Sequence, residues 1–89
     1  MTSRTTARFR KAFAALPEHV RGRARQAYRQ FRRDPTHPGL QFKQVHPRRP
    51  IYSARVGLGY RALAVREGET VIWFWIGTHA EYDQLLRTL

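Results

Sequence analysis

Apolar side chains recur at helical spacing in the first part of this chain and at every second position in the second part. The period changes within the segment DPTHPG, residues 34–39. Two prolines and a glycine within six residues exclude a helix that continues through this segment. Helices followed by strands, rather than strands that alternate with helices, indicate an α+β fold.

Two amphipathic helices are predicted before the break. The first covers residues 7–16, with Thr6 as its N-cap, and Pro17 ends it. The second covers about residues 18–33, so the two should form an antiparallel hairpin. Its apolar stripe consists of Val20, Ala24, Ala27, Tyr28 and Phe31.

Short strands are predicted after the break, at residues 40–45, 51–56, 60–66 and 70–76. The last of these, TVIWFWI, is apolar on both faces and should lie in the centre of the sheet. Residues 1–5 form either a short edge strand or a frayed end. The predicted architecture is two N-terminal helices packed on a three- to four-stranded antiparallel sheet, with a short C-terminal helix.

The length and the cysteine count narrow the class of protein. A chain of 89 residues fits one domain, 1–89. It has no cysteine, which excludes disulfides and thiolate metal sites. The N-terminus lacks the apolar segment of a secretory signal, and the longest apolar run, residues 71–76, is too short to span a membrane. We therefore expect a cytoplasmic protein without membrane contact.

The charge points to a polyanionic partner. The chain carries 17 basic residues against six acidic ones, a net charge of +11. Such an excess repels itself unless an anionic partner or counterions balance it. Nucleic acid is the usual partner of a chain this basic, and an acidic protein is the alternative.

Two arginines stand on the arms of the predicted hairpin. If the loop is Gly57–Gly59, Arg55 faces Arg61 and both lie on one face of the sheet; a two-residue loop, 58–59, puts them on opposite faces. On one face they could grip a phosphate and stabilise the charge that builds on it. Otherwise they are exposed sheet arginines, which contribute little to stability.

The C-terminal helix carries a second candidate group. Thr78 and Glu81 have the spacing of a capping box, so the helix should begin beside His79. Histidine suits proton transfer near neutral pH, and Tyr82 lies on the same side of the helix. Alternatively, His79 and Tyr82 only pack against the sheet.

Further basic residues and the histidines complete the candidates. Lys43, Arg48 and Arg49 add positive charge near the hairpin, where they could bind RNA. The histidines show no ligand spacing, so no metal site is expected. They are His19, His37, His46 and His79.

The strings IYSARVGLGYRALAV, residues 51–65, and WFWIGTHAEYDQLL, residues 73–86, together with the order of elements, resemble the RelE/ParE superfamily of toxins from toxin–antitoxin systems. The group that the chain resembles is the RelE-like cytotoxic translational repressors. This resemblance covers about residues 9–86. It implies a four-stranded antiparallel sheet and an acidic cognate antitoxin as partner.

The resemblance also implies a chemistry. RelE-like members cut messenger RNA on the ribosome without a metal or other cofactor, by attack of the 2′-OH on the adjacent phosphate to give a 2′,3′-cyclic phosphate. Arg61 resembles the arginine that stabilises the phosphate, and Arg55 a basic position on the neighbouring strand. His79 resembles the family's proton donor or acceptor, and Tyr82 its C-terminal aromatic residue.

The chain departs from the family pattern in three ways. Ser53 stands where some RNase members carry a basic residue, the usual first strand is short or missing, and no general base is obvious apart from Glu81. Two other functions therefore remain open. One is a ParE-like inhibitor of DNA gyrase, and the other is a non-catalytic nucleic-acid-binding module with the toxin fold.

Overall fold

The computed structural model describes residues 1–89. In chain order the elements are β1 (Thr2–Thr5), α1 (Ala7–Ala14), α2 (Glu18–Arg33), a 3₁₀ turn (Pro38–Leu40), β2 (Lys43–Gln44), β3 (Ile51–Arg55), β4 (Tyr60–Glu67), β5 (Thr70–Thr78) and α3 (His79–Thr88). The α+β class and both N-terminal helices are as predicted. The Thr6 hydroxyl caps α1 by accepting a hydrogen bond from the Phe9 backbone N–H.

The prediction for the sheet was wrong in strand number and direction. The sheet has five strands in the order β1-β5-β4-β3-β2, and β1 pairs parallel to β5 while the other pairs are antiparallel. Residues 2–5 are thus an edge strand, held in addition by a hydrogen bond from Trp73 Nε1 to Ser3 Oγ. Because these residues are polar and lack the apolar alternation of a strand, their sequence gave no indication of this pairing. As a result β5 lies inside the sheet, but β4 is its central strand.

The helices cover both faces of the sheet. Helices α1 and α2 pack on one face, where Phe31 of α2 contacts Trp73 edge-to-face at 5.3 Å between ring centroids. Helix α3 packs on the other, where Tyr82 joins Ile51 and Leu63 in a second apolar cluster. We call this second side the α3 face. None of the three helices has the length and hydrophobicity that a membrane span requires.

A β-bulge explains the apolar run in β5. Leu63 pairs with Trp75 and Ala64 with Trp73, so Phe74 has no partner on β4. The extra residue shifts the alternation of side chains along the strand. Trp73 and Ile76, three residues apart, therefore both reach the core under α1 and α2, while Trp75 lies on the α3 face.

Candidate functional site

The register of the β3–β4 hairpin places Arg55 opposite Arg61. The Val56 N–H donates to the Tyr60 carbonyl at 3.0 Å, which closes the three-residue loop Gly57–Gly59. Gly57 and Gly59 have φ of 59° and 84°, values that favour glycine. Of the two registers that the sequence allowed, the structure has the one that puts both arginines on one face of the sheet.

Arg61 is buried on the α3 face, with only 6% of its surface exposed. Its Nη2 donates to Ser53 Oγ at 2.8 Å and its Nη1 to Gln41 Oε1 at 2.8 Å, while the buried Nε has no partner. The interpretation of Arg61 as an exposed sheet arginine was therefore wrong. Helix α3 covers this part of the sheet, which no pattern within β4 could reveal.

Tyr82 is the residue of α3 that covers Arg61. The Arg61 guanidinium carbon lies 5.3 Å from the centroid of the Tyr82 ring, in cation–π contact. The Tyr82 hydroxyl donates to Ser53 Oγ at 3.3 Å, so Ser53 accepts from both residues. The position that departs from the family pattern is thus the buried acceptor that joins β3, β4 and α3.

His79 lies at the exposed edge of this cluster. Its backbone N–H donates to the Gly59 carbonyl at 2.8 Å, and its ring meets Tyr82 edge-to-face at 5.5 Å between centroids. Its Nδ1 is 3.2 Å from the Asp83 carboxylate. An ionised carboxylate only accepts hydrogen bonds, so Nδ1 carries a proton, and in the neutral ring Nε2 is then the proton acceptor.

Two members of the cluster were missed from the sequence. Asp83 lies one helical turn beyond His79, and this i,i+4 spacing was a signal that could have found it. Gln41 follows the 3₁₀ turn with φ of 49°, and its side chain then reaches Arg61. We find no feature of the sequence that indicates this contact.

Glu81 serves as the cap of α3, as the sequence predicted. Its carboxylate accepts hydrogen bonds from the Thr78 backbone N–H and hydroxyl, each at 2.9 Å, and Thr78 Oγ1 accepts from the Glu81 N–H. These bonds from the Thr78 backbone and then its hydroxyl hold the pKa of Glu81 below its ordinary value. Because the Glu81 carboxylate is engaged in the cap, His79 is the candidate base that remains on this helix.

Arg55 shares a row of the sheet with Arg61 but not its contacts. It is half-buried, and its Nε donates to the Gly57 carbonyl at 3.3 Å. No hydrogen bond joins it to Ser53, Tyr82 or His79. Its side chain instead lines a separate recess beside α2.

The three residues predicted to bind RNA lie towards the β2 edge of the sheet, and all are exposed. Lys43 pairs with Ser53, so it belongs to the α3 face. Arg48 and Arg49 lie in a loop whose backbone N–H groups donate to His46 Nδ1 at 3.1 and 2.9 Å. The structure therefore groups Arg61, Tyr82 and His79 closely, with Lys43 on the same face.

This arrangement combines a buried positive charge with an exposed base. No carboxylate pairs with Arg61, while Asp83 orients His79. No three histidine, aspartate or glutamate side chains lie close enough together to hold a metal ion. The chemistry that these side chains can support is proton transfer beside an anionic group.

Solved structures with this fold come from several toxins. The RelB–RelE antitoxin–toxin complex from Methanococcus jannaschii matches with a TM-score of 0.72 at 20% identity, covering 91% of this chain and 95% of that chain. YafQ from E. coli matches with a TM-score of 0.71 at 9% identity, covering 90% and 94%. The RelBE2 toxin–antitoxin complex from Mycobacterium tuberculosis matches with a TM-score of 0.69 at 24% identity, covering 88% and 96%.

Sequence comparison adds the family. No curated protein sequence matches the chain significantly. The model of the ParE-like toxin domain, however, matches residues 18–84, from the start of α2 to within α3. That range includes every member of the cluster around Arg61. The chain belongs to the family of ParE-like toxin domains.

Proposed function

We propose that residues 1–89 act as a single toxin domain of a type II toxin–antitoxin system, a metal-independent endoribonuclease that cleaves messenger RNA on the ribosome and so inhibits translation. The same proposal places the protein in the cytoplasm, where ribosomes and messenger RNA are found. The observation that carries it is the cluster in which the His79–Asp83 pair borders Tyr82 above Arg61.

The charge of Arg61 supports an anionic ligand at this cluster. Buried charges are normally paired, because an unpaired charge in a low-dielectric site is costly. Arg61 donates hydrogen bonds only to the neutral side chains of Ser53 and Gln41, its Nε has no partner, and its other contact, the Tyr82 ring, carries no net charge. A phosphate that approaches the α3 face would supply the missing negative charge.

His79, Arg61 and Tyr82 have different roles in the proposed cleavage of RNA. His79 Nε2 takes the proton of a ribose 2′-OH, and the oxygen attacks the adjacent phosphorus. The charge that builds on the phosphorane is stabilised by Arg61, beneath the Tyr82 ring. The bond to the 5′-oxygen breaks, this oxygen takes a proton from a water molecule, and a 2′,3′-cyclic phosphate remains. The hydroxide formed from that water takes the proton from His79 Nε2, which restores the neutral base and the water molecule.

An acidic antitoxin is the partner that we propose for the resting toxin. The net charge of +11 offers a surface that an acidic protein would neutralise. The solved structures with this fold include RelB–RelE complexes, in which the toxin is bound to its antitoxin.

The test is to map the 5′ ends of cellular messenger RNA after induction of the toxin. His79→Ala removes the base, and His79 is exposed, so the fold should persist. His19→Ala is the matched control, since His19 is an exposed histidine of α2 outside the cluster. We expect new, codon-phased 5′ ends with the wild type and with His19→Ala, and their loss with His79→Ala.

Two results would count against messenger cleavage. Growth arrest with intact messenger and a DNA-damage response would favour the ParE-like inhibitor of DNA gyrase. Neither new ends nor arrest would favour the non-catalytic binding module. New ends that persist in His79→Ala would keep the nuclease but assign its base to another residue.

A further inference from the structure

A basic recess of about 440 Å³ opens between α2, the 3₁₀ turn and the β3–β4 hairpin. Its polar side chains are Arg23, Gln26, Gln30, His37 and Arg55, and no acidic residue lines it. The cluster around Arg61 does not use this recess. The side chain of Arg55, to which the family resemblance gives a role in the reaction, lines this recess.

The two arginines of the recess are free of carboxylate partners. Arg23 and Arg55 form none of the ion pairs of the molecule. The Nε of Arg55 donates to the Gly57 carbonyl, and its two Nη groups make no hydrogen bond within the protein, so they can donate to a ligand. Two unpaired guanidinium groups at one recess favour an anionic ligand, and phosphate is one that guanidinium binds with two parallel hydrogen bonds.

A glycine in the hairpin turn allows the Arg23 side chain to lie against the turn. Gly57 has φ of 59°, and a Cβ at this position would lie 2.8 Å from Cδ of Arg23. Any side chain there would push the Arg23 side chain away. The glycine thus permits the turn and keeps one wall of the recess in place.

The remaining polar groups supply hydrogen-bond donors. His37 Nδ1 accepts from the Gly39 N–H at 3.1 Å, so the proton of the neutral ring is on Nε2, which can donate to a ligand. Gln26 and Gln30 lie one turn apart on α2, where their side chains share a face. Their amides can donate to phosphate oxygens or to the edge of a base.

We propose that this recess binds a backbone phosphate of single-stranded RNA, as a second anion subsite next to the cluster around Arg61. Arg55 lies directly across the hairpin from Arg61, and opposite residues of an antiparallel pair have Cα atoms only about 4.5–5.5 Å apart. The recess and the cluster around Arg61 thus adjoin the same β3–β4 hairpin. That RNA is the ligand of this subsite rests on the proposed function, whereas the geometry of the recess does not.

The lining favours RNA over an acidic protein segment. A peptide helix that docks in a groove relies on apolar contacts along one face. Apart from the glycines, the recess offers only Ala27 and Leu40 as apolar lining residues, and Leu40 is buried. Arginines with amides and a histidine donor suit phosphate and base edges instead.

The test measures how the affinity for RNA depends on salt. A 2′-O-methyl RNA oligonucleotide serves as probe, because it lacks the attacking hydroxyl and stays intact. Each phosphate contact of a single strand contributes about 0.7 to the slope of log affinity against log salt. We expect Arg23→Gln with Arg55→Gln, which together remove the contacts to one phosphate, to reduce this slope by roughly 0.7. The control is Arg4→Gln with Arg8→Gln, an equal charge loss from two exposed arginines of β1 and α1.

The outcomes separate this inference from the proposed function. A smaller slope in the recess variant alone supports the subsite, even if the wild type cleaves no messenger. Equal changes in both double variants, or no change in either, overturn it. The subsite for RNA is also overturned if the recess variant binds polyglutamate, a model of an acidic protein segment, more weakly than the wild type but keeps the same salt dependence of its affinity for RNA. Thermal unfolding of both variants checks that each is folded.

Discussion

Ser53 Oγ accepts a hydrogen bond of 2.8 Å from Arg61 Nη2 at a site where the serine has no solvent exposure. The same oxygen accepts from the Tyr82 hydroxyl. A small hydroxyl thus holds the arginine of the central strand and the aromatic residue of α3 in one arrangement. A basic side chain at this position would place a second positive charge against Arg61.

Ser53→Ala should destabilise the protein by about 1–3 kcal/mol, since two buried donors lose their acceptor. Urea unfolding of the variant and the wild type measures the difference. Thr88→Ala is the control, because that hydroxyl bonds only to the Leu85 carbonyl at the exposed end of α3. A loss no larger than that of the control would mean that water replaces the Ser53 hydroxyl.

Arg61→Ala and Arg61→Met should separate charge from packing. Both remove the cation and should reduce the proposed messenger cleavage about 100-fold or more. Arg61→Ala also leaves a cavity beneath Tyr82 and should lose about 1–3 kcal/mol of stability. Arg61→Met fills that space and should lose less, which denaturant midpoints and rates of RNA cleavage together would show. Cleavage that survives in the methionine variant would limit Arg61 to a structural role.

Glu81→Gln should change how stability depends on pH. The pKa of Glu81 is lowered in the folded protein by its bonds from Thr78, so the contribution of the carboxylate is present above its ordinary pKa. It is lost as the pH falls through the lowered, folded value. The stability gap between wild type and variant should therefore be largest at neutral pH and shrink in acid, as urea midpoints across a pH series would report. A constant gap would contradict this assignment.

Gly77→Ala and Gly22→Ala should have opposite effects. At Gly77 a Cβ would lie 2.6 Å from Cζ2 of Trp75 and 3.0 Å from Oε1 of Glu81, so we expect a loss of about 1–3 kcal/mol. At Gly22, inside α2, a Cβ meets nothing within 4 Å, and alanine should stabilise the helix by about 0.5–1 kcal/mol. Thermal unfolding tests both; equal effects would mean that the Trp75 ring moves away freely.

The sequence predicted the elements whose signals are local. Helix α2 begins at Glu18 and ends at Arg33 as predicted, and the capping box of Thr78 and Glu81 opens α3. The predicted strand at residues 40–45 was largely wrong. The Pro38–Leu40 turn and the left-handed Gln41 shorten it to Lys43–Gln44.

The arrangement of the site was less accessible from the sequence. The hairpin register depended on whether two or three residues form its loop, and both fit the pattern. Burial of Arg61 depends on where α3 docks, which is a long-range contact without a periodic signal. The parallel pairing of Thr2–Thr5 with β5 joins the two ends of the chain, and its polar residues gave no indication of it.

The order of elements also sets when the cluster around Arg61 can be completed during synthesis of the chain. β1 leaves the ribosome before every other element, while its partner β5 and then α3 are made after all other strands and helices. Ser53 and Arg61 precede β5 in the chain, whereas Tyr82 and His79 belong to α3. The cluster around Arg61 can therefore be completed only after α3 has been made; until then Arg61 lacks the aromatic ring that covers it.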